Sequence, residues 1–249
     1  ELQIKYLIDV FHDAKEYGSI LDVRPINFEA IEKRLEEIKN GETLNMFELQ
    51  QNNIILEKIP PLVKQARIMS EKYDVVCTNP PYMGNGGMNQ KLSNFVKERF
   101  PNTKSDMSTV FMEKALLMCK EHGIISMINI PVWMFLSSYR KLREVILSGK
   151  TIINMLHFGR GVFGSDFGTT SFVIRNMYIS DFNTVYRKLY NKQGSVDSIV
   201  QKEKWFFENL NNYEMKQREF FKIPGMPIAY WVGKRTLDIF KNRKVCEFA

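Results

Sequence analysis

The sequence has little of what a membrane or secreted protein needs. Its longest apolar stretch, residues 124–135, is interrupted by Ser126, Asn129 and Pro131. A membrane-spanning helix needs roughly 20 apolar residues, so we expect no membrane partner. No charged-then-apolar leader opens the chain, so a secretory signal is not indicated and we expect a cytoplasmic protein.

Cysteine is also scarce, with Cys77, Cys119 and Cys246 far apart in the sequence. An odd count without a CxxC pair argues against a disulfide framework or a structural zinc site and favours a reducing compartment. The three histidines share no spacing typical of metal ligands. We therefore predict no metal site, and we interpret the three cysteines as small apolar packing residues.

Charge is unevenly distributed along the chain, whose net charge is +7. Residues 1–72 hold 10 Lys and Arg against 13 Asp and Glu, whereas residues 73–249 hold 25 against 15. A basic portion of this size suits a polyanion such as nucleic acid. Many solvated surfaces are equally rich in lysine, so the positive charge indicates a nucleic-acid partner only in combination with a binding motif.

The hydrophobic pattern changes character at Tyr73. Residues 1–72 have mostly helical spacing, with a possible short strand at 18–23 and a helix break forced by Pro60-Pro61. From residue 73, short β-rich runs alternate with helical ones. The predicted strands cover 73–78, 123–130, 151–157, 169–178 and 184–190, and the predicted helices cover 92–99, 108–120, 137–147 and 195–220.

This alternation predicts an α/β fold, because strand–helix–strand connections of this length produce right-handed crossovers and a mainly parallel sheet. We divide the chain into a helical segment (1–72), a core (73–192) and a C-terminal helical or linker segment (193–249). The first predicted strand reads as buried and ends at Asn79-Pro80-Pro81-Tyr82. Active sites of such sheets lie at the carboxyl ends of the strands, which is where this tetrapeptide falls.

The tetrapeptide has a specific chemical capacity. Its prolines have no N–H, and the residues that precede them are held extended, so the turn is stiff and offers acceptors. The side-chain oxygen of Asn79 and the carbonyl of Pro80 suit an NH2 group, which has two donors. Tyr82 offers a flat face to a planar ring. These features favour a nucleobase with an exocyclic amine, although an incidental turn at the end of a strand is the alternative.

Asn79-Pro80-Pro81-Tyr82, after Tyr-Asp-Val-Val, resembles the catalytic motif of S-adenosylmethionine-dependent DNA methyltransferases that methylate amines. The segments 107–117, 123–135 and 159–175 follow in the order of the γ-type adenine-N6 enzymes. The resemblance is closer still to the methyltransferases of BREX phage-defence systems and covers nearly the whole chain. It is carried by DAKEYGSIL at 13–21, NPPYMG at 79–84, WMFLSSYRKLR at 133–143 and IPGMPIAYWV at 223–232. It implies part of a Rossmann-like doubly wound sheet, mainly parallel with an antiparallel strand near 169–178.

The resemblance also implies residue roles on the side of the target base. Asn79 and the carbonyl of Pro80 would hold the N6 amine of an adenine that has been flipped out of the duplex. Tyr82 would stack on the base, and Phe163 would pack on it as a second aromatic. The transfer itself needs positioning and electrostatics more than a general base.

On the cofactor side the match is incomplete. Phe111 matches an aromatic that packs on the cofactor adenine, but ordinary core packing explains it equally well. Asp22 is a weaker match at the border of the same site. The family's glycine-rich cofactor loop has no counterpart in residues 1–72, so we expect this chain to lack it, to bind S-adenosylmethionine weakly or not at all, and to be inactive alone.

The resulting prediction is an adenine-N6 DNA methyltransferase of a restriction-modification or phage-defence system, present as a fragment. Its expected partners are double-stranded DNA and other subunits of the defence system. An exposed sheet edge would favour a homodimer. Two alternatives stay open: a non-catalytic DNA-binding or assembly subunit with the same fold, and a methyltransferase that acts on RNA or on a protein amide.

Overall fold

A computed structural model describes residues 2–42, 45–162, 167–192 and 194–242. The chain divides into two compact units, residues 1–72 and residues 73–249. In each unit, local sequence features determine where the helices and strands begin and end. The three-part division predicted from the sequence stays a prediction.

The first unit is helical. Its helices are α1 (Leu2–Phe11), α2 (Ala14–Tyr17), α3 (Phe28–Asn40) and α4 (Met46–Ser70). Asn27 and Asn45 start the two longer helices, because each side chain accepts a hydrogen bond from a backbone N–H in the first turn. The buried faces of α3 and α4 include Ile31, Leu35 and Val63.

Two predictions for this unit are wrong. Residues 18–20 form a short 3₁₀ helix and residues 21–23 are irregular, so the predicted strand is absent from this stretch. The second error concerns Pro60 and Pro61, which lie inside the 25 residues of α4. Each proline removes one helical hydrogen bond, but the burial of Ile59, Val63 and Ala66 holds the turns on both sides together.

The second unit is built on one six-stranded sheet, in the order β1-β2-β4-β3-β5-β6. The strands are β1 (Tyr73–Thr78), β2 (Cys119–Asn129), β3 (Thr151–Gly159), β4 (Thr169–Arg175), β5 (Asn183–Lys188) and β6 (Asn212–Lys216). β1 runs parallel to β2, and β3 runs parallel to β5. β4 lies antiparallel between β2 and β3, and β6 is antiparallel to β5. The predicted mainly parallel sheet with an antiparallel strand near 169–178 is confirmed, and β6 is a second antiparallel strand.

The helices of this unit are α5 (Gln90–Arg99), α6 (Met107–Met118), α7 (Arg140–Gly149), α8 (Ile199–Phe207) and α9 (Lys234–Asn242). The main core joins the sheet to α6, α7 and the C-terminal segment. Phe172 of β4 and Ile146 of α7 are almost fully buried there, together with Trp133 from a short 3₁₀ helix and Tyr230 from the C-terminal segment. The carboxyl ends of β1, β2, β3 and β5 therefore lie along one edge of a firmly packed sheet.

β2 begins earlier than predicted, with an irregular first turn. Its register against β1 shifts between Tyr73 and Val75, and Asn176 stabilises the irregularity by donating to the carbonyls of Cys119 and Lys120. Glycine is required at position 123, because a Cβ there would lie 2.8 Å from the carbonyl oxygen of Asp74. This close approach brings β2 against β1 and so fixes where both strands end.

The predicted burial of the first strand is wrong. β1 is an edge strand, and the side chains of Val75 and Cys77 are exposed. Cys77 is therefore not a packing residue, whereas Cys119 is buried as predicted and Cys246 lies outside the described residues. An edge strand of this kind is a template for pairing with another strand, so the homodimer stays a prediction.

The C-terminal segment also differs from the prediction. Helix α8 covers nine residues of the predicted helical stretch 195–220, and the chain then forms β6, the strand that closes the far end of the sheet. The sheet therefore extends beyond residue 192. The strand Asn-Tyr-Glu-Met-Lys alternates polar and apolar residues, a strand signal that the helical interpretation of 195–220 missed, and it pairs with β5.

Candidate functional site at the end of strand β1

The Asn-Pro-Pro-Tyr turn follows β1 directly, as predicted. The hydroxyl of Tyr82 donates to Oδ1 of Asn79 at 2.7 Å, and it lies 3.4 Å from the carbonyl oxygen of Ile128 at the end of β2. Asn79 is exposed, Pro80 is buried and Pro81 is exposed. The turn is thus anchored through Pro80 and Tyr82, while the amide of Asn79 faces outwards with its oxygen orientation fixed.

A second aromatic residue lies against this turn. The ring of Phe167 meets the ring of Tyr82 edge to face, with centroids 5.4 Å apart. Phe163, which the sequence predicts as the base-packing aromatic, lies outside the described residues. Sequence reasoning missed Phe167, although a second phenylalanine in the glycine-rich stretch before β4 was the available signal.

Backbone hydrogen bonds hold the loop after the turn in place, although its glycines predict a mobile loop. The backbone N–H of Met107 donates to the carbonyl of Met83, and the N–H of Asn85 donates to the carbonyl of Ser105. These bonds join the loop to the start of α6. There Asp106 caps the helix by accepting from the N–H and the hydroxyl of Ser108.

A buried asparagine links α6 to β2. Asn129 is fully buried at the end of β2, and its amide donates to the carbonyl of Ser108 at 3.0 Å. The hydroxyl of Thr170 on β4 donates to the carbonyl of Asn129. The ends of β2, β4 and α6 are therefore fixed with respect to each other on the side of the sheet where Tyr82 lies.

Arg143 organises the loop that follows β2. The pattern of Arg140, Lys141 and Arg143 predicts a helix face exposed to solvent. Arg143 is instead 1% exposed, and its guanidinium donates hydrogen bonds to the carbonyls of Trp133, Leu136 and Gly225. Burial lowers the pKa of its guanidinium, and the repulsion of Arg140 adds to that effect. The signal was present, since Arg143 shares the buried face of α7 with Leu142 and Ile146 at helical spacing.

Electrostatics along this edge favour neutral polar groups. Partial burial raises the pKa of Tyr82, so its hydroxyl stays protonated and serves as a donor. Burial lowers the pKa of His157 to about 4, with smaller effects from Lys188 and Lys202. His157 is thus a neutral imidazole at neutral pH, and its Nδ1 lies 3.1 Å from the hydroxyl of Tyr230.

The two residues predicted on the cofactor side are less informative. Phe111 lies on α6, half-buried and packed against the main core, and Asp22 is an exposed residue of the first unit. Residues 2–42 and 45–72 contain no strand, so they do not form the strand–glycine loop–helix unit that holds a nucleotide-like cofactor. The described residues thus fit a base-binding site and do not by themselves fit a complete cofactor site.

The described residues lack the features of two other kinds of site. They contain no group of three or more His, Cys, Asp or Glu side chains that could hold a metal ion. They also contain no helix with the length and apolarity required to cross a membrane.

The six-stranded sheet and the Asn-Pro-Pro-Tyr turn at its strand ends define an α/β domain of the methyltransferase class. A family model described as Eco57I restriction-modification methylase matches residues 8–163. The chain belongs to the Eco57I restriction-modification methylase family.

Two curated relatives extend the comparison. The chain is 37% identical over 237 residues to the adenine-specific methyltransferase BrxX of Escherichia coli O9:H4 (strain HS), an alignment that covers 93% of this chain and 19% of BrxX. It is 35% identical over 243 residues to the adenine-specific methyltransferase PglX of Lacticaseibacillus casei (strain Zhang), covering 93% of this chain and 20% of PglX. The chain thus spans about a fifth of the length of these relatives.

Among solved structures, the type ISP restriction-modification enzyme LlaGI in complex with a DNA substrate mimic superposes with a TM-score of 0.49. The two chains are 12% identical, and the match covers 82% of this chain and 18% of LlaGI. The family assignment rests on the sequence match, and the superposition adds nothing to it.

Proposed function

We propose that this chain holds the target adenine of a DNA N6-methyltransferase. The observation that carries the proposal is the outward amide of Asn79, whose oxygen is oriented by the hydroxyl of Tyr82 at 2.7 Å. An amide oxygen can accept two hydrogen bonds, so the bond from Tyr82 leaves room for one from an amine. The names of the two curated relatives support adenine as the base that carries this amine.

The chemistry of the site follows from these groups. One N–H of the target amine donates a hydrogen bond to Oδ1 of Asn79, and the other donates to the carbonyl of Pro80. These two bonds reduce the conjugation of the nitrogen lone pair with the ring. Tyr82 stacks on the base and compensates for the stacking that the base loses on leaving the duplex, about 1–3 kcal/mol. Phe167 packs edge to face with the ring of Tyr82, and Phe163 is the second aromatic proposed against the base.

The methyl donor of this family is S-adenosylmethionine, which supplies an electrophilic methyl group when it is bound. We assign Phe111 of α6 and, as a weaker match, Asp22 to cofactor binding as proposals, supported by the family resemblance. The described residues do not complete a cofactor site, so the proposal rests on the residues that hold and orient the base.

The setting of the activity is part of the proposal. Double-stranded DNA is the substrate, supported by 25 Lys and Arg against 15 Asp and Glu in residues 73–249. Cellular DNA as substrate implies a cytoplasmic protein. The BrxX and PglX matches favour a role in a restriction-modification or phage-defence system with further subunits.

The test is a methyl-transfer assay of the product of the complete gene with isotopically labelled S-adenosylmethionine. We expect label in DNA, and we expect nucleoside analysis to identify it as N6-methyladenine. Label in RNA or protein with none in DNA would contradict the proposal and favour a different amine acceptor. DNA binding without transfer to any of the three acceptors would favour the non-catalytic alternative.

A further inference from the structure

An aromatic cavity of about 420 Å³ lies at the same edge of the sheet as the Asn-Pro-Pro-Tyr turn. This volume falls within the roughly 300–1,000 Å³ of small-molecule pockets. Its residues come from the loops after β2 and β5, from the end of β3 and the loop between β3 and β4, and from the C-terminal segment. They include Val132, Phe135, His157, Arg160, Tyr190, Ser195 and Trp231.

The walls of the cavity are suited to a planar ring. Phe135 lies between His157, whose ring is stacked at a centroid distance of 6.3 Å, and Trp231, whose ring is tilted at 5.6 Å. Tyr190 meets His157 edge to face at 4.8 Å. Because His157 is neutral at neutral pH, the wall offers an imidazole that forms hydrogen bonds without charge beside three aromatic faces.

The cavity is a built feature rather than a packing gap. Lys202 of α8 is buried and donates to the carbonyls of Phe158 and Leu189, so it ties the ends of β3 and β5 together beneath it. Glycine is required at position 159, since a Cβ there would lie 2.7 Å from Cβ of Tyr190 and would displace this wall residue. At 8% and 5% exposed, Tyr190 and His157 are held in place by this frame.

Charge at the cavity favours an anionic chain on the ligand. Arg160 lines it and donates to the carbonyl of Gly194, and the ammonium of Lys188 lies 4.7 Å from the centre of the Tyr190 ring. The acidic group beside them, Asp197, accepts hydrogen bonds from the N–H of Asn191 and the hydroxyl of Ser195. A phosphodiester entering with its base would meet the two cations.

The cavity also adjoins the base-binding turn. Gly168 lines the cavity and directly follows Phe167, whose ring contacts Tyr82. Pro131 lines it as well, three residues after Ile128, the residue whose carbonyl lies 3.4 Å from the hydroxyl of Tyr82. A DNA strand with one base at Asn79 would therefore pass this opening.

We propose that this cavity binds a second, unstacked nucleobase of the DNA whose adenine is held at Asn79. The inference rests on the proposed function for its ligand class. It assigns Phe135 and Trp231 as stacking residues, Tyr190 as the residue that packs against His157, and His157 as a hydrogen-bonding group to the ring edge.

The test uses Trp231 as reporter, because it is 41% exposed at the cavity whereas Trp133 is fully buried. A Trp205→Phe background removes the third tryptophan. The probe is single-stranded oligothymidylate of eight nucleotides. We expect saturable quenching of the fluorescence of Trp231, since stacked bases quench indole, and we expect the same quenching after Asn79→Ala.

Two independent variants fill the cavity, Val132→Phe and Ser195→Phe, and Ser148→Phe on the exposed face of α7 is the matched control. Thermal melting confirms that each is folded. Filling should abolish the quenching and weaken oligonucleotide binding about 10-fold, the range of one stacked base, while Ser148→Phe should change neither.

Absence of quenching in a folded protein, or quenching that persists in both filled variants, would overturn the inference. Quenching that disappears with Asn79→Ala would overturn it too, because the base would then bind at the turn alone. Failure of the proposed function has a different signature, since methyl transfer would be absent whether or not Trp231 is quenched.

Discussion

Oδ1 of Asn79 accepts a hydrogen bond of 2.7 Å from the hydroxyl of Tyr82, three residues along the chain. Asn79 is the main acceptor of this hydroxyl, because the carbonyl oxygen of Ile128 lies farther away, at 3.4 Å. The oxygen is therefore oriented before any base arrives. Tyr82 thus has two separable roles, a donor that orients Asn79 and a ring on which the base stacks.

Separating these roles is the first prediction. Tyr82→Phe keeps the ring and removes the donor, so we expect kcat to fall by about 10-fold because the amide loses its fixed orientation, with KM for DNA little changed. Tyr82→Ala also removes the stacking surface, worth about 1–3 kcal/mol, so binding should weaken as well. Steady-state kinetics of the complete gene product on its DNA measure both. Equal KM values for Phe and Ala variants would contradict the stacking role.

The second prediction concerns Arg143 and the loop after β2. Lysine keeps the charge but cannot donate to all three carbonyls, so Arg143→Lys should lower the free energy of unfolding by about 3 kcal/mol. Arg140→Lys, on the exposed side of the same helix, is the matched control and should change it by less than about 0.5 kcal/mol. Urea denaturation followed by circular dichroism compares them. A similarly small effect for both variants would show that the hydrogen bonds of Arg143 to the three carbonyls contribute little to stability.

The third prediction is a pH dependence due to His157. The pKa of this imidazole is lowered from 6.5 to about 4 in the folded chain, so the unfolded state takes up a proton first as the pH falls. Stability should be fully present above about pH 6.5 and should decrease by about 2 kcal/mol from this group between pH 7.5 and pH 5.

His122 serves as the control for His157. His157→Asn should remove that part of the slope, whereas His122→Asn should leave it, because His122 is exposed and its φ of 64° suits asparagine. Denaturation midpoints measured across this pH range decide the matter. An unchanged slope in the His157 variant would show that another group causes it.

The fourth prediction tests the edge position of β1. In a Cys246→Ser background, iodoacetamide should label Cys77 in the native protein and leave Cys119 unlabelled until denaturant is added, because only the former is exposed. Peptide mass spectrometry locates the label. Protection of Cys77 at low protein concentration would contradict the edge position. Protection that grows with concentration would support pairing between chains at β1.

The turn and the strand order illustrate what the sequence can and cannot predict. Strand β1 and the turn at Asn79 were predictable because β propensity and proline stiffness are local properties. The exposure of Val75 and the pairing of β6 with β5 were not, since both depend on which strands become neighbours. The aromatic contact of Phe167 with Tyr82 is likewise a property of the folded sheet edge, where segments 85 residues apart meet.

The central claim, that Asn79 holds the target amine, is tested most directly by one comparison. The complete gene product, its Asn79→Ala variant and its Asn94→Ala variant, which alters an exposed asparagine on α5, are each expressed in cells that lack adenine methylation. Digested DNA is then analysed for N6-methyladenine by mass spectrometry. We expect the modified base with the parent protein and with Asn94→Ala, and a loss on the order of 100-fold or more with Asn79→Ala, which removes the positioning group. N6-methyladenine at parental levels in the Asn79→Ala sample would contradict the account.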